Sequence, residues 1–297
     1  QIINNPYIRI VDPSCGTGNI LICCFKFLKN LYKDNLSFIN EKNGLKLNVK
    51  SIDDHIIRYN LFGFDIDNIA LKILVIDLYD LSKGCILENI FNKDFLLYKN
   101  ECKYDIVIGN PPYVGKKSID NEYASFLKIK YKKVYSDKGD LSYCFFEKAL
   151  EDLSEGGKLT FITSRYFIES PSGEDLRKVL KEGYTIDKMI DFYGIRPFKN
   201  VGIDPLIIFI TNYKTMDNKI AIIKPLAVKS KEKKEFYNNV FLKGGNKFNA
   251  FMLNKKELDD KGWVLVDEKV RTIIKKIKQQ KYRSEEHTSE LQSPPLS

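Results

Sequence analysis

The sequence predicts an open α/β sheet of the Rossmann-like type, and three stretches carry that prediction. Residues 8–32 run from a short apolar strand (8–11) through Asp12-Pro13-Ser14-Cys15-Gly16-Thr17-Gly18 into a largely apolar helix. Residues 61–81 repeat the scheme: an apolar strand, the acidic turn Asp65-Ile66-Asp67, then a second helix. Residues 104–108 form a β-branched run that enters Gly109-Asn110-Pro111-Pro112-Tyr113. Strands alternating with helical patterns give parallel sheets, and such sheets bind ligands outside the carboxyl ends of their strands.

Taken in order, the first turn is a strand–glycine–helix unit, where bare backbone lets a nucleotide-like ligand approach a helix N-terminus. It holds one Gly-x-Gly; Leu21 stands where a dinucleotide fingerprint would need its third glycine. A ligand loop and a plain strand-to-helix turn both remain open on this stretch. Asp65 ends the second apolar run at the place where an acid grips a ribose diol, whereas Asp67 suits a helix cap. Capping by both acids is the alternative. Residues 85–91 lead into Lys93-Asp94-Phe95-Leu96, a third strand end. There Asp94 suits an adenine amino group with Phe95 beside it, or the stretch is a surface turn.

The fourth strand end is the most specific. Two consecutive prolines fix φ and remove two donors, so the chain leaves the strand as a stiff turn. The Pro111 carbonyl and the Asn110 amide oxygen then face one place as acceptors, with the Tyr113 ring beside them. This arrangement suits an amino group on a planar ring, held by two acceptors and stacked on tyrosine.

From 114 to 138 lysines alternate with Tyr123, Phe126, Tyr131 and Tyr135. Lys130, Lys132 and Lys133 fit a segment tracking a nucleic-acid backbone, or a solvated helix face with the tyrosines packed beneath. An amphipathic helix is expected over 140–154, strands over 158–163, 186–192 and 206–211, and a helix over 172–181. Phe198, in the loop between the last two strands, is either a second plate for an extruded base or a core residue. Beyond Asn212 the chain becomes lysine-rich and ends in a basic helix near 267–281, read as a linker and the start of a second module.

Composition sets the bounds. A chain of 297 residues, 43% hydrophobic, can bury a full core. A net charge of +9 and a pI near 9.0 favour a polyanionic partner, although a lysine-rich coding bias gives the same numbers. Six cysteines without CxxC spacing and two histidines disfavour a zinc site and histidine catalysis, and point to thiols in a reducing cytoplasm. There is no signal-peptide pattern and no apolar run of membrane-spanning length. The first residue is Gln and the apolar pattern starts at once, so the sequence reads as a piece lacking its natural start. Residues 283–293, RSEEHTSELQS, break from the Lys/Ile/Asn-rich style and resemble the translation of a sequencing-adapter oligonucleotide. That tail, 283–297, carries one Arg and three Glu, which leaves +11 on the rest.

Together these motifs resemble the S-adenosylmethionine-dependent amino-group DNA methyltransferases, specifically N6-adenine enzymes of the γ motif order and the Type IIG restriction–modification kind. The resemblance spans residues 8–212 and extends more weakly to 282. It implies a class I methyltransferase sheet with one antiparallel edge-proximal strand in 1–213, and the start of a target-recognition region in 214–282. It implies S-adenosylmethionine held by Asp12, Pro13, Cys15, Gly16 and Gly18, by Asp65 and Ile66, and by Asp94 and Phe95. It further implies catalysis by Asn110, Pro111, Pro112 and Tyr113, Phe198 as the second plate on the flipped adenine, and double-stranded DNA as the partner. A protein glutamine N5-methyltransferase also carries NPPY and is the enzymatic rival. A non-catalytic DNA-binding subunit is the rival from another class.

Overall fold

Alternation sorts the side chains of each strand to opposite faces of one sheet. In β1 (Ile10–Asp12) Ile10 joins the core beneath the first helices while Val11 joins the main core on the other face. β2 (Leu61–Asp65) divides in the same way, with Leu61 on one side and Phe64 on the other. The computed structural model describes residues 2–115, 118–136, 139–196, 202–215, 218–225, 236, 238, 240–241 and 248–277.

Between β1 and β2 lie α1 (Asn19–Asp34), α2 (Leu36–Asn43) and α3 (Ile52–His55), the last continuing as a π-helical turn. Then follow α4 (Asn68–Leu81), β3 (Ile90–Asn92), β4 (Tyr104–Gly109), α5 (Asn121–Lys130), α6 (Leu141–Asp152), β5 (Leu153–Ser164), α7 (Glu174–Gly183), β6 (Thr185–Asp191), β7 (Pro205–Thr211), β8 (Lys219–Pro225) and β9 (Phe248–Asn254). The strand order is β3-β2-β1-β4-β5-β7-β6-β8-β9. β1 to β5 pair in parallel, and β7 runs antiparallel between β5 and β6. The order reverses between β1 and β4, which opens a crevice at their carboxyl ends, where the glycine turn and the proline turn meet.

Local chemistry explains the helix starts. Asp67 caps α4 by accepting from the Ile69 and Ala70 amides, the role expected of it. Asp120 and Asp140 do the same for α5 and α6. α1 has no side-chain cap. It begins at Gly18, whose φ of 83° favours glycine, and a Cβ there would lie 2.0 Å from Leu74 Cδ1 of α4.

The sheet continues past the end expected at Thr211. β8 pairs in parallel with β6, and β9 pairs antiparallel with β8, so residues 219–225 and 248–254 extend the same sheet. Ile220 and Ile222 are fully buried in the main core, as is Trp263, which meets Phe167 edge-on at 5.8 Å. Arg177 of α7, also fully buried, donates to the carbonyls of Phe167, Ser170 and Asp260 and fastens this segment. Flanking lysines give 219–225 the look of a linker, but its alternating isoleucines are what the sheet buries.

Candidate active site

The turn after β1 is built around a buried acid. Asp12 is 1% exposed, and its Oδ1 accepts from the Ser14 amide at 3.0 Å. Burial pushes its carboxyl up to about 7, the Ser14 contact opposes this, and the charge of Asp65 raises it further. Pro13 and Cys15 are buried beside it, and burial likewise pushes the Cys15 thiol up. The Gly16 amide donates to Asp65 Oδ2 at 2.7 Å, so the carboxylate ending β2 is joined to the glycine loop. Its other oxygen accepts from the Asp67 amide at 2.9 Å. Two of the expected ligand groups, Gly16 and Asp65, therefore form one unit.

Ile66 projects beside that unit, 77% exposed, as an apolar platform. Asn92, at the end of β3, donates to the carbonyls of both Asp65 and Ile66 at 3.1 Å and holds the corner. Asp94 is half-buried, with Oδ1 accepting from the Leu96 amide and Oδ2 from the Tyr123 hydroxyl. Phe95 differs from the expectation: its side chain is 2% exposed and packs against Phe64 and Phe145. It is a core residue, because the chain turns after β3, with the Leu97 and Tyr98 amides donating to the Asp94 carbonyl, and this turn buries Phe95 and Leu96 together.

β4 delivers the proline turn against the first loop. A Cβ on Gly109 would lie 2.8 Å from Asp12 Oδ1 and 3.1 Å from Pro13 Cδ, so only glycine permits this approach. Ser14 Oγ donates to the Asn110 carbonyl at 3.1 Å, a second tie between the loops. Asn110 is exposed, Pro111 is buried, and Pro112 and Tyr113 are half-buried. The Tyr113 hydroxyl reaches both the Asn110 side-chain oxygen and the Ile162 carbonyl of β5. In this arrangement the amide acceptor is met by tyrosine. A cleft of about 850 Å³ opens beside the turn, lined by Asp12, Ser14, Asn110, Ile162 and the exposed flank of α1.

The basic–aromatic segment is tied down more than its composition suggests. Tyr131 and Tyr135 are buried in the main core. The Lys130 ammonium donates to the Leu96 carbonyl at 2.6 Å, and its pKa is lowered by burial. Lys133 pairs with Glu147 and Glu151, which leaves Lys132 exposed. The packed-tyrosine alternative thus describes the geometry of this stretch. Phe198 lies outside the described residues. Three further residues take part in the site. Ser14 sits inside a quoted motif and Asn92 directly before another, whereas Tyr123 stands out in the sequence only as one of the aromatics among the lysines, with nothing to mark its bond to Asp94.

The strand order and the four strand ends define the class of the domain: a Rossmann-like, class I methyltransferase fold. Residues 59–198 match the model of the Eco57I restriction-modification methylase family. The Type II methyltransferase M.BstVI of Geobacillus stearothermophilus is 27% identical over 198 residues, covering 63% of this chain and 35% of that protein. Among solved structures, the DNA-bound Type ISP restriction-modification enzyme LlaBIII has a TM-score of 0.62 at 16% identity, covering 88% of this chain and 20% of the other. A class I S-adenosylmethionine-dependent methyltransferase from Listeria monocytogenes has a TM-score of 0.52 at 16% identity, covering 77% of this chain and 64% of that one. The chain is therefore a relative of the methyltransferases of restriction–modification systems. It spans 26–35% of the length of the first curated relatives it matches.

Proposed function

We propose that this chain carries the catalytic domain of a DNA methyltransferase that methylates the N6 amine of adenine, using S-adenosylmethionine. The observation that carries the reading is the Asn110-Pro111-Pro112-Tyr113 turn at the carboxyl end of β4, packed through Gly109 against Asp12. The donor set suits the cofactor. A buried carboxyl faces a cleft fit for a cationic group, Asp65 ends β2 where a ribose diol is gripped, and Ile66 and Asp94 offer a flat apolar surface and an acceptor for adenine. When bound, S-adenosylmethionine supplies a methyl group already activated on a positively charged sulfur.

The remaining work falls to the turn. An adenine amine cannot be reached inside a base stack, so the nucleotide must be rotated out of the duplex. The Asn110 side-chain oxygen accepts one hydrogen of that amine and the Pro111 carbonyl accepts the other. This draws the nitrogen lone pair out of conjugation and aims it at the methyl group. The Asn110 oxygen has two lone pairs, so it can accept from the amine while the Tyr113 hydroxyl keeps its bond, and that bond holds the tyrosine beside the site where its ring meets the base. The proton leaves after attack, so no general base is required. Asp12, Pro13, Ser14 and Gly109 hold the two loops in register.

The similarity to Type II DNA methyltransferases favours DNA over protein glutamine as substrate. The test is to incubate the full-length protein with unmodified DNA and S-adenosylmethionine, digest the DNA, and analyse its nucleosides by mass spectrometry. N6-methyladenine is the expected product. N4-methylcytosine, or methylated glutamine in a protein acceptor, would overturn the substrate assignment.

A further inference from the structure

The segment that follows the catalytic turn lies on the corner assigned above to the cofactor's adenine. Asp94, two residues past the end of β3 at Asn92, holds both of its oxygens to fixed donors. The Leu96 amide reaches Oδ1 at 2.8 Å and the Tyr123 hydroxyl reaches Oδ2 at 2.6 Å. Tyr123 stands in the first turn of α5, where the Asp120 cap accepts from its amide at 3.2 Å. Its ring is packed against the main core. Two more bonds seat the segment on this corner: the Lys130 ammonium and the Tyr131 hydroxyl both donate to the Leu96 carbonyl at 2.6 Å. At its other end the segment is pinned where the Leu141 amide donates to the Val114 carbonyl, directly after Tyr113.

A carboxylate offers about four lone-pair sites, and two fixed donors fill two of them and set the plane of the rest. What remains on Asp94 is a pair of acceptors with a defined direction. Such a site receives an exocyclic amine and repels a carbonyl oxygen, which brings lone pairs against lone pairs. Burial and the bond to Asp94 push the Tyr123 hydroxyl's pKa up, so it remains a donor through neutral pH.

We propose that Tyr123 is a positioning residue for the cofactor's adenine: its hydroxyl sets the Asp94 carboxylate to accept the exocyclic amine, and so helps the site distinguish 6-amino from 6-oxo purines. The inference rests on reading Asp94 as the adenine acceptor, and it makes cofactor selectivity depend on the segment leaving the catalytic turn. The test uses calorimetric binding of S-adenosylhomocysteine and of S-inosylhomocysteine to the full chain, without DNA or turnover. Tyr123→Phe keeps the ring in the core and removes only the donor. The ratio of the two affinities should fall about tenfold, mostly through weaker binding of the adenosyl compound. Tyr131→Phe, which cuts the neighbouring bond to the Leu96 carbonyl without removing a charge beside Asp94, should lower the melting temperature and leave that ratio at the parental value. An unchanged ratio in Tyr123→Phe, or equal weakening of both ligands, would overturn the role of Tyr123. Asp94→Ala separates the two levels. If it abolishes the preference while Tyr123→Phe keeps it, only the positioning role fails; if it keeps the preference, the adenine reading of Asp94 fails as well.

Discussion

Asp12 should make cofactor binding depend on pH, and Asp12→Asn should remove that dependence. The carboxyl is 1% exposed and lies about three pH units above its usual 3.8, at about 7. At 1.36 kcal/mol per unit, the fold holds roughly 4 kcal/mol against its ionised form. A cation entering the cleft favours that form and must displace the proton wherever one is bound. With a value of about 7, roughly a tenth of the protein is ionised at pH 6 and roughly nine tenths at pH 8. Affinity for S-adenosylmethionine should therefore rise about tenfold from pH 6 to pH 8 and level off above. Calorimetry across that range, in buffers of different ionisation enthalpy, measures both the affinity and the proton released. Asp12→Asn should bind more weakly at pH 8 and show a nearly flat profile. A parental profile that is already flat, or a variant that keeps the tenfold rise, would refute the assignment of the buried acid to the cationic end of the cofactor.

Glu147 offers a stability counterpart away from the site. It is 5% exposed, its Oε2 has no partner, and Lys133 lies 3.7 Å from Oε1. Burial, and then the charge of Glu151, push its carboxyl from 4.5 up to about 7 against the opposing pull of Lys133. A folded value above the unfolded one contributes stability that is complete below about 4.5 and lost as pH rises through about 7. Glu147→Gln should thus flatten the decline in melting temperature between pH 5 and 8, with a gain at pH 8 of at most roughly 3 kcal/mol. Melting curves that stay parallel to the parent's would contradict this. Gly109→Ala forces a methyl group onto Asp12 and Pro13, so methyl transfer should collapse for a stability cost of about 1–3 kcal/mol in chemical denaturation. Retained activity would mean that the two loops are not held as described. For DNA, Lys132→Gln should lessen the salt slope of binding by about one, whereas Lys130→Gln should act mainly on stability through its bond to Leu96.

What was legible in the sequence was the local chemistry of each strand end. An apolar run that stops at Asp12, Asp65 or Gly109 states its own boundary, and the helix over 68–81 appears as read because Asp67 caps it. The pairing of Asp65 with Gly16, and of Gly109 with Asp12, was not legible, since those contacts join segments far apart in the chain. Phe95 reads as a neighbour of the adenine because Asp-Phe after a strand does not say which side chain faces inward. The lysine-rich stretches misled in a consistent way. Around 128–133 lysines dominate the composition, and at 219–225 they flank an apolar run, while buried tyrosines and isoleucines decide where the chain goes. Lysine stems also lie along apolar surface with their ammonium groups at carbonyls, as Lys130 and Lys255 do.

The central claim is that Asn110 acts on the target amine and not on the architecture of the turn. Asn110→Ala leaves both prolines, Gly109 and the Ser14 bond to the main-chain carbonyl of residue 110 in place, and removes only the side-chain acceptor. The decisive measurement is single-turnover formation of N6-methyladenine by the full-length parent and by this variant, with cofactor and DNA affinities determined in parallel. The account predicts a loss of at least a hundredfold in rate with both affinities within a few-fold of the parent, the pattern of an interaction made chiefly in the transition state. A variant that methylates adenine at the parental rate would contradict it.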